Sequence, residues 1–147
     1  MMATDATLLL VEDDPNAVKL LCLSLLKAGF GNRVITASSA EEAMKYLLGE
    51  DMFSDRAQYP LPQLVLLDLK LPGLSGIDFL RWLRASPACR SLPVVVLTGS
   101  IIPEDLIDAY KAGANSYITK AQDAQNLTEQ VEAIGSIWLR HGRFPAD

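Results

Sequence analysis

Residues 63–76 of this chain read QLVLLDLKLPGLSG, and the rest of the sequence can be interpreted outward from them. Four apolar residues, 64–67, run unbroken to Asp68, and the turn-forming Pro72 and Gly73 follow soon after. Such a run is typical of a strand buried on both faces of a parallel sheet. The reactive crevice of an open parallel sheet lies at the carboxyl ends of its strands. Asp68 therefore either caps a turn, where aspartate is common, or marks a functional edge.

Strand and helix signals alternate along the whole chain. Apolar or β-branched runs predict strands at residues 8–11, 33–37, 93–97 and 115–119, in addition to 64–67. Helix starts are indicated by capping residues or prolines at Asp14 with Pro15, Ser39, Pro103 and Asp123, and an amphipathic pattern indicates the remaining helix from Gly76 to Ala85. Five alternations imply right-handed βαβ units. We predict an α/β fold, a flavodoxin-like, doubly wound five-stranded parallel sheet of order 2-1-3-4-5 with five helices.

Two helices and one loop carry further expectations. The last helix is predicted to bury a stripe made of Leu127, Val131, Ile134, Ile137 and Trp138, and the fourth helix carries Leu106, Ile107 and Tyr110. Residues 49–62 lack any sustained period and predict a long exposed loop. We expect Phe53 and Tyr59 of this loop to fold back onto the domain, and a contact with a partner protein is the alternative.

Composition limits the classes of function. The 147 residues fit one domain, 1–147, and the apolar runs are too short to cross a membrane. A net charge of −5 argues against nucleic-acid binding, and the start has no secretory signal, so the cytoplasm is expected. Cys22 and Cys89 form no metal or redox motif and are expected to be free thiols. His141 is the single histidine, which excludes triads and histidine metal sites.

Polar residues follow four of the predicted strands. Glu12 and Asp13 end the first strand, Asp68 the third, Thr98 the fourth and Lys120 the fifth. Three carboxylates brought together raise one another's pKa unless a cation lies among them. An all-oxygen set without His or Cys favours a hard cation, and Mg²⁺ fits best. An ionised aspartate beside Mg²⁺ and a lysine is also a competent nucleophile toward phosphorus.

These residues, in this order, resemble the receiver domain of two-component response regulators. The matching motifs are LVED at 10–13, Asp68 with Leu71-Pro72-Gly73 and Gly76, Thr98-Gly99, and GANSYITK at 113–120. The resemblance implies that Asp68 is the phosphoacceptor, Thr98 the switch hydroxyl, Tyr117 the switch aromatic and Lys120 the cation that pairs with the phosphoryl group. It implies a Mg²⁺ site formed by Glu12, Asp13, Asp68 and the backbone carbonyl of Lys70, with Asp13 as a direct ligand and Asp14 outside the site.

Two features depart from the common pattern of this family. Ala121 follows Lys120 where many members have a proline after a cis bond, so the peptide is either trans or a strained cis. The long loop before the third strand, with residues 136–139 and the Phe144-Pro145 tail, resembles standalone regulators associated with bacterial and cyanobacterial phytochromes. Lys70 lies two residues after Asp68, and we hypothesise that its charge changes the lifetime of the aspartyl phosphate.

The resemblance implies a single-domain response regulator that accepts a phosphoryl group from a sensor histidine kinase, with a bacteriophytochrome as one candidate. It would phosphorylate and dephosphorylate itself without being an enzyme, and would signal through an output protein that the sequence does not name. A phosphorylation-independent adaptor of the same fold is the alternative. An aspartate-nucleophile phosphatase is disfavoured because Lys70 stands where those enzymes have a second acid. A homodimer through Trp138, Phe144 and the fourth and fifth helices stays open, as does burial of these residues.

Overall fold

Strands and helices alternate five times in the computed structural model, which describes residues 7–30 and 33–140. The strands are β1 (Thr7–Val11), β2 (Arg33–Ala37), β3 (Leu64–Leu67), β4 (Val94–Thr98) and β5 (Ser116–Thr119). The helices are α1 (Pro15–Lys27), α2 (Ala40–Leu48), α3 (Gly76–Ala85), α4 (Pro103–Ala112) and α5 (Ala124–Gly135). A 3₁₀ turn, Asp51–Phe53, follows α2, and a π-helical turn, Ser136–Arg140, follows α5.

The five strands form one parallel sheet in the order β2-β1-β3-β4-β5, so the predicted fold and strand order are confirmed. Every residue of β1, β3 and β4 is buried, as expected for central strands covered by helices on both faces. The register pairs Val11 of β1 with Leu67 of β3, and Leu67 with Val96 of β4. The residues that follow β1 and β3 therefore emerge side by side at one edge of the sheet.

The predicted helix starts hold in detail. Asp14, Ser39 and Asp123 are N-caps whose side chains accept backbone N–H groups of the first turns of α1, α2 and α5. The capping box at α2 is only half formed, because the Glu42 carboxylate accepts the N–H of Ser38 at 2.7 Å instead of that of Ser39. Ser75 caps α3 in the same way, so side-chain caps mark the start of four of the five helices.

The predicted apolar stripe of the last helix is only partly correct. Leu127, Val131 and Ile134 are buried, but Ile137 is 61% exposed and Leu139 is buried instead. The cause is the π-helical turn that begins at Ser136, because its wider winding shifts the side chains away from the 3.6-residue period. Trp138 packs partly buried against the core on this side of the sheet, and Phe144 and His141 lie outside the described residues.

Helix α4 presents its large apolar side chains to solvent. Leu106, Ile107 and Tyr110 are each about half exposed, whereas the small Ala109 and Ala112 face the core. None of the helices in the described ranges combines the length and the hydrophobicity needed to cross a membrane. Cys22 and Cys89 are free thiols, as predicted, and burial raises the pKa of both.

Residues 49–62 pack back onto α2, as expected for Phe53 and Tyr59. The rings of Phe53 and Tyr59 lie 5.2 and 6.3 Å from the buried ring of Tyr46, measured between centroids. The Tyr46 hydroxyl donates to the carbonyl of Pro60 at 2.6 Å. The Arg56 guanidinium donates to the carbonyls of Tyr46, Leu47 and Tyr59 at 2.8–3.0 Å. The loop is thus fastened to the end of α2 by one arginine and an aromatic cluster.

Replacing Arg56 with alanine is expected to lower the free energy of unfolding by about 2 kcal/mol, because it leaves partly buried carbonyls without a donor. Urea denaturation measures the loss, and hydrogen exchange should rise in residues 49–62 first. Arg81→Ala is the matched control, since Arg81 is exposed and pairs with the exposed Asp78 on the same helix. Equal losses in both variants would contradict a fastening role for Arg56.

Candidate functional site

The candidate site is built by the backbone at the carboxyl edge of the sheet. Glu12 and Asp68 directly follow β1 and β3, and the N–H of Asp68 donates to the carbonyl of Val11 at 3.0 Å. Thr98 is the last residue of β4, and its carbonyl accepts the N–H of Lys120 at 2.7 Å. The parallel hydrogen-bond pattern therefore extends one residue past the ends of β3 and β5, and it fixes the backbone positions of Asp68 and Lys120.

Both carboxylate oxygens of Asp68 contact protein groups. Oδ1 accepts the Thr98 hydroxyl at 2.7 Å and the backbone N–H of Lys70 at 3.1 Å. Oδ2 lies 3.6 Å from Nζ of Lys120, which also contacts Oε1 of Glu12 at 2.8 Å. The structure thus brings together four of the predicted site side chains: Glu12, Asp68, Thr98 and Lys120.

Burial sets the electrostatics of this group. The side chain of Glu12 is only 3% exposed and that of Lys120 is 18% exposed. Burial raises the pKa of the Glu12 carboxyl, and the hydrogen bond from Lys120 opposes that rise. Burial also acts to lower the pKa of Lys120, but the hydrogen bond and charge of Glu12, together with the charge of Asp68, outweigh it and raise that pKa. Lys120 therefore stays charged between the two acids.

The two acidic residues that follow β1, Glu12 and Asp13, differ in burial. Glu12 points into the site, whereas Asp13 is exposed and Asp14 is occupied as the N-cap of α1. Within residues 7–30 and 33–140, no three His, Cys, Asp or Glu side chains converge tightly enough to form a ready metal cage. The donors near this edge are carboxylate and carbonyl oxygens, and that donor chemistry fits a hard cation that retains several waters.

Gly76 is required by the close return of the chain beside Asp68. A Cβ at this position would lie 2.6 Å from the carbonyl oxygen of Asp68 and 2.7 Å from Cα of Leu69. The Gly76 N–H donates to the Leu69 carbonyl, and Ser75 caps α3. Gly73 adds a left-handed φ of 72°. The LPG…G pattern is thus explained by the tight loop that presents Asp68.

Tyr117 is half-buried in β5 and turned toward the β4–α4 loop, residues 99–102. Its hydroxyl donates to the carbonyl of Ser100 at 3.2 Å, and its N–H donates to the hydroxyl of Tyr110 at 3.1 Å. The Thr98 hydroxyl already donates to Asp68. The unmodified carboxylate of Asp68 is thus already an acceptor for the Thr98 hydroxyl.

Two site residues were missed by the sequence analysis. Ser100 donates its hydroxyl to Oδ2 of Asp105 at 2.5 Å, and Nζ of Lys70 lies 3.1 Å from the same oxygen. Both could have been considered from their positions in the sequence, because Ser100 lies two residues after Thr98 and Asp105 is in the first turn of α4. The Lys120–Ala121 peptide is trans, like every peptide bond in the described part of the chain.

Comparisons with known proteins give a consistent result. The family model for the response regulator receiver domain matches residues 8–132. The probable methanogenesis regulatory protein FilR2 of Methanothrix harundinacea is 35% identical over 138 residues, which are 94% of this chain and 86% of FilR2. Response regulator Rcp1 of Synechocystis is 32% identical over 139 residues, which are 95% of this chain and 92% of Rcp1.

Two solved structures are similar over nearly their full length. The phosphorylated cyanobacterial phytochrome response regulator RcpA superposes with a TM-score of 0.88 at 32% identity, covering 96% of this chain and 99% of RcpA. The Mn²⁺-bound form of Rcp1 gives a TM-score of 0.85 at 32% identity, with the same coverage. The similarity therefore includes the strand ends where the candidate site lies.

Replacing Lys120 with methionine is expected to lower the free energy of unfolding by about 3 kcal/mol, because it leaves the buried Glu12 without its cation. Adding Glu12→Gln should recover a large part of this loss, since the neutral amide no longer needs a counter-charge. Urea denaturation of wild type, both single variants and the double variant measures the coupling. Strictly additive losses would mean that the two side chains do not stabilise each other.

Proposed function

This chain belongs to the family of response regulator receiver domains, and from that membership we propose that Asp68 accepts a phosphoryl group from a histidine kinase. The observation that carries the proposal is the environment of the Asp68 carboxylate. Thr98 and the Lys70 N–H hold Oδ1, while Oδ2 faces the ammonium of Lys120. We therefore assign Oδ2 as the nucleophile, because Oδ1 already accepts two hydrogen bonds whereas Oδ2 lies 3.6 Å from the ammonium of Lys120.

The chemistry is a phosphoryl transfer in two steps. Oδ2 of Asp68 attacks the phosphorus of a phosphohistidine, the P–N bond breaks, and the imidazole leaves and takes up a proton. Water later attacks the same phosphorus, the P–O bond to Asp68 breaks, and inorganic phosphate leaves with the carboxylate restored. Lys120 and the Thr98 hydroxyl would orient and neutralise the oxygens of the transferring group.

A divalent cation completes the proposed site. It would be held by Glu12, Asp13, Asp68 and the Lys70 carbonyl. We propose Mg²⁺, which prefers oxygen ligands and commonly binds protein carboxylates and a phosphate group together. When bound, it would neutralise negative charge on the transferring phosphoryl group. The oxygen-only donor set supports this proposal, and so does the similar Rcp1, which has been solved with Mn²⁺.

The role of the chain is signalling, as is general for this family. We propose a sensor histidine kinase as its donor, with a phytochrome kinase as the finer suggestion, because RcpA is a phytochrome response regulator. Rcp1 and RcpA align with this chain over 92% and 99% of their lengths, which supports a single receiver domain acting through an unidentified output protein. A homodimer, a cytoplasmic location, and self-phosphorylation with self-dephosphorylation stay predictions.

One observation favours a second candidate, an adaptor that works without phosphorylation. Thr98 and Tyr117 make their inward contacts around the unmodified carboxylate of Asp68. A receiver domain held in this arrangement could bind its partner at all times. An Asp68→Asn variant that signals as fully as wild type would favour the adaptor.

Incubation with phosphorylated histidine kinases and Mg²⁺ is expected to label the wild-type protein and to leave Asp68→Asn unlabelled, because the amide is not a nucleophile. Chelating the metal with EDTA should abolish labelling. Autoradiography or intact mass measures the phosphoryl group. Equal labelling of Asp68→Asn, or no transfer from any kinase of the host, would contradict the proposed function.

Asp13→Asn is expected to weaken Mg²⁺ binding at least about tenfold, because loss of even the outer partners of metal ligands has effects of this size. The free energy of unfolding should not change, because Asp13 is exposed. Asp14→Asn is the matched control, since asparagine caps a helix as well as aspartate. Calorimetric titration with Mg²⁺ measures the affinity of each variant, and urea denaturation measures its free energy of unfolding. The proposed ligand set would be wrong if the two variants bound Mg²⁺ alike.

A further inference from the structure

A closed ring of contacts links the phosphoacceptor to the first turn of α4. Oδ1 of Asp68 accepts the N–H of Lys70, and the ammonium of Lys70 lies 3.1 Å from Oδ2 of Asp105. Asp105 accepts the Ser100 hydroxyl at 2.5 Å. The ring closes through Thr98, whose hydroxyl oxygen lies 3.5 Å from the Ser100 N–H and 2.7 Å from Oδ1 of Asp68.

The members of this ring differ in how firmly they are held. Thr98 is fully buried and Ser100 nearly so, and the Ser100 carbonyl is also fixed by Tyr117. The side chain of Asp105 is 22% exposed, and that of Lys70 is 61% exposed. Lys70 is therefore the most exposed member of the ring, and its ammonium is paired with Asp105.

Asp105 belongs to a helix that has no side-chain cap. The N-cap of α4 is Ile102, which offers no side-chain acceptor, and the N–H of Asp105 donates to the Ile102 carbonyl at 3.1 Å. The side chain of Asp105 points back to Ser100 and Lys70. The hydrogen bond from Ser100 and the ion pair with Lys70 lower the pKa of Asp105, so it is an anion at neutral pH.

Given the proposed phosphorylation of Asp68, we propose that Asp105 is a positioning residue that draws the Lys70 ammonium away from the phosphoryl group and so shortens the lifetime of the aspartyl phosphate. A phosphoryl group carries roughly 1.5 to 2 negative charges, compared with one on Asp105. The two anions compete for Lys70, whose backbone is already fixed beside Asp68. Lys70 thereby couples the position of α4 to the state of Asp68.

The lifetime depends on the approach of water. Hydrolysis requires water to attack the phosphorus in line with the P–O bond to Asp68, which breaks and returns its electron pair to the carboxylate. An ammonium held on the phosphoryl oxygens stabilises the phosphorylated state and occupies part of the approach. Lys70 bound to Asp105 leaves that approach open, and Lys70 released from Asp105 closes it.

The test measures phosphate release from protein that has been phosphorylated with phosphoramidate and Mg²⁺ and then separated from the donor. Asp105→Asn should lengthen the half-life about two- to fivefold, the range expected for a partly exposed ion pair. Asp105→Ser is a second neutral variant, and circular dichroism confirms that each variant is folded. Asp108→Asn is the matched control, because it removes the same charge from an exposed position of α4 and should leave the half-life unchanged.

The background of Lys70→Ala separates positioning from a structural effect. Asp105→Asn should have no further effect on the half-life in that background, because the lysine through which it acts is gone. An unchanged half-life in Asp105→Asn, the same lengthening in the Lys70→Ala background, or the same lengthening in Asp108→Asn would each overturn the proposal. Failure of the wild-type protein to take up phosphate would instead overturn the proposed function, and this inference with it.

Discussion

The register between β1 and β3 is the constraint on which the site depends. Val11 opposes Leu67, so Glu12 and Asp68 leave the sheet as neighbours inside a protein core. Two acids cannot both stay ionised in such a place without a cation. Lys120 supplies it from β5, two strands beyond β3, and contacts both carboxylates. The outer strand must therefore dock correctly before the central acids are compensated, which ties the integrity of the site to that of the whole sheet.

The sequence predicted the fold well because its main signals are local. Buried strands appear as apolar runs, and caps such as Asp14 and Asp123 show where helices begin. The strand-end residues were predicted for the same reason, since parallel topology carries each strand end to one edge. Gly76 was recognised as part of a motif. The physical reason for glycine there is visible only in the folded chain, where a Cβ would lie 2.6 Å from the carbonyl oxygen of Asp68.

The sequence-based predictions failed where the helix departs from the 3.6-residue period and where a contact joins residues that are distant in sequence. Ile137 was assigned to the core on a 3.6-residue period, which does not hold through a π-helical turn. The partner of Lys70 was not predictable, because Asp105 lies 35 residues further along and reaches it only through the fold. The difference in burial between Glu12 and Asp13 was also not predictable, because nothing in the sequence distinguishes the buried acid from its exposed neighbour.

The contacts of Ser100 connect this chemistry to the protein surface. Its hydroxyl holds Asp105 at the start of α4, and its carbonyl holds Tyr117. A displacement of the β4–α4 loop by a phosphoryl group must therefore disturb the helix and β5 together. Helix α4 is suited to respond, because it buries only small side chains against the core while Leu106 and Ile107 face solvent. A helix with so little apolar anchoring shifts at low cost, and under the proposed function its exposed face is where phosphorylation of Asp68 would become visible to another protein.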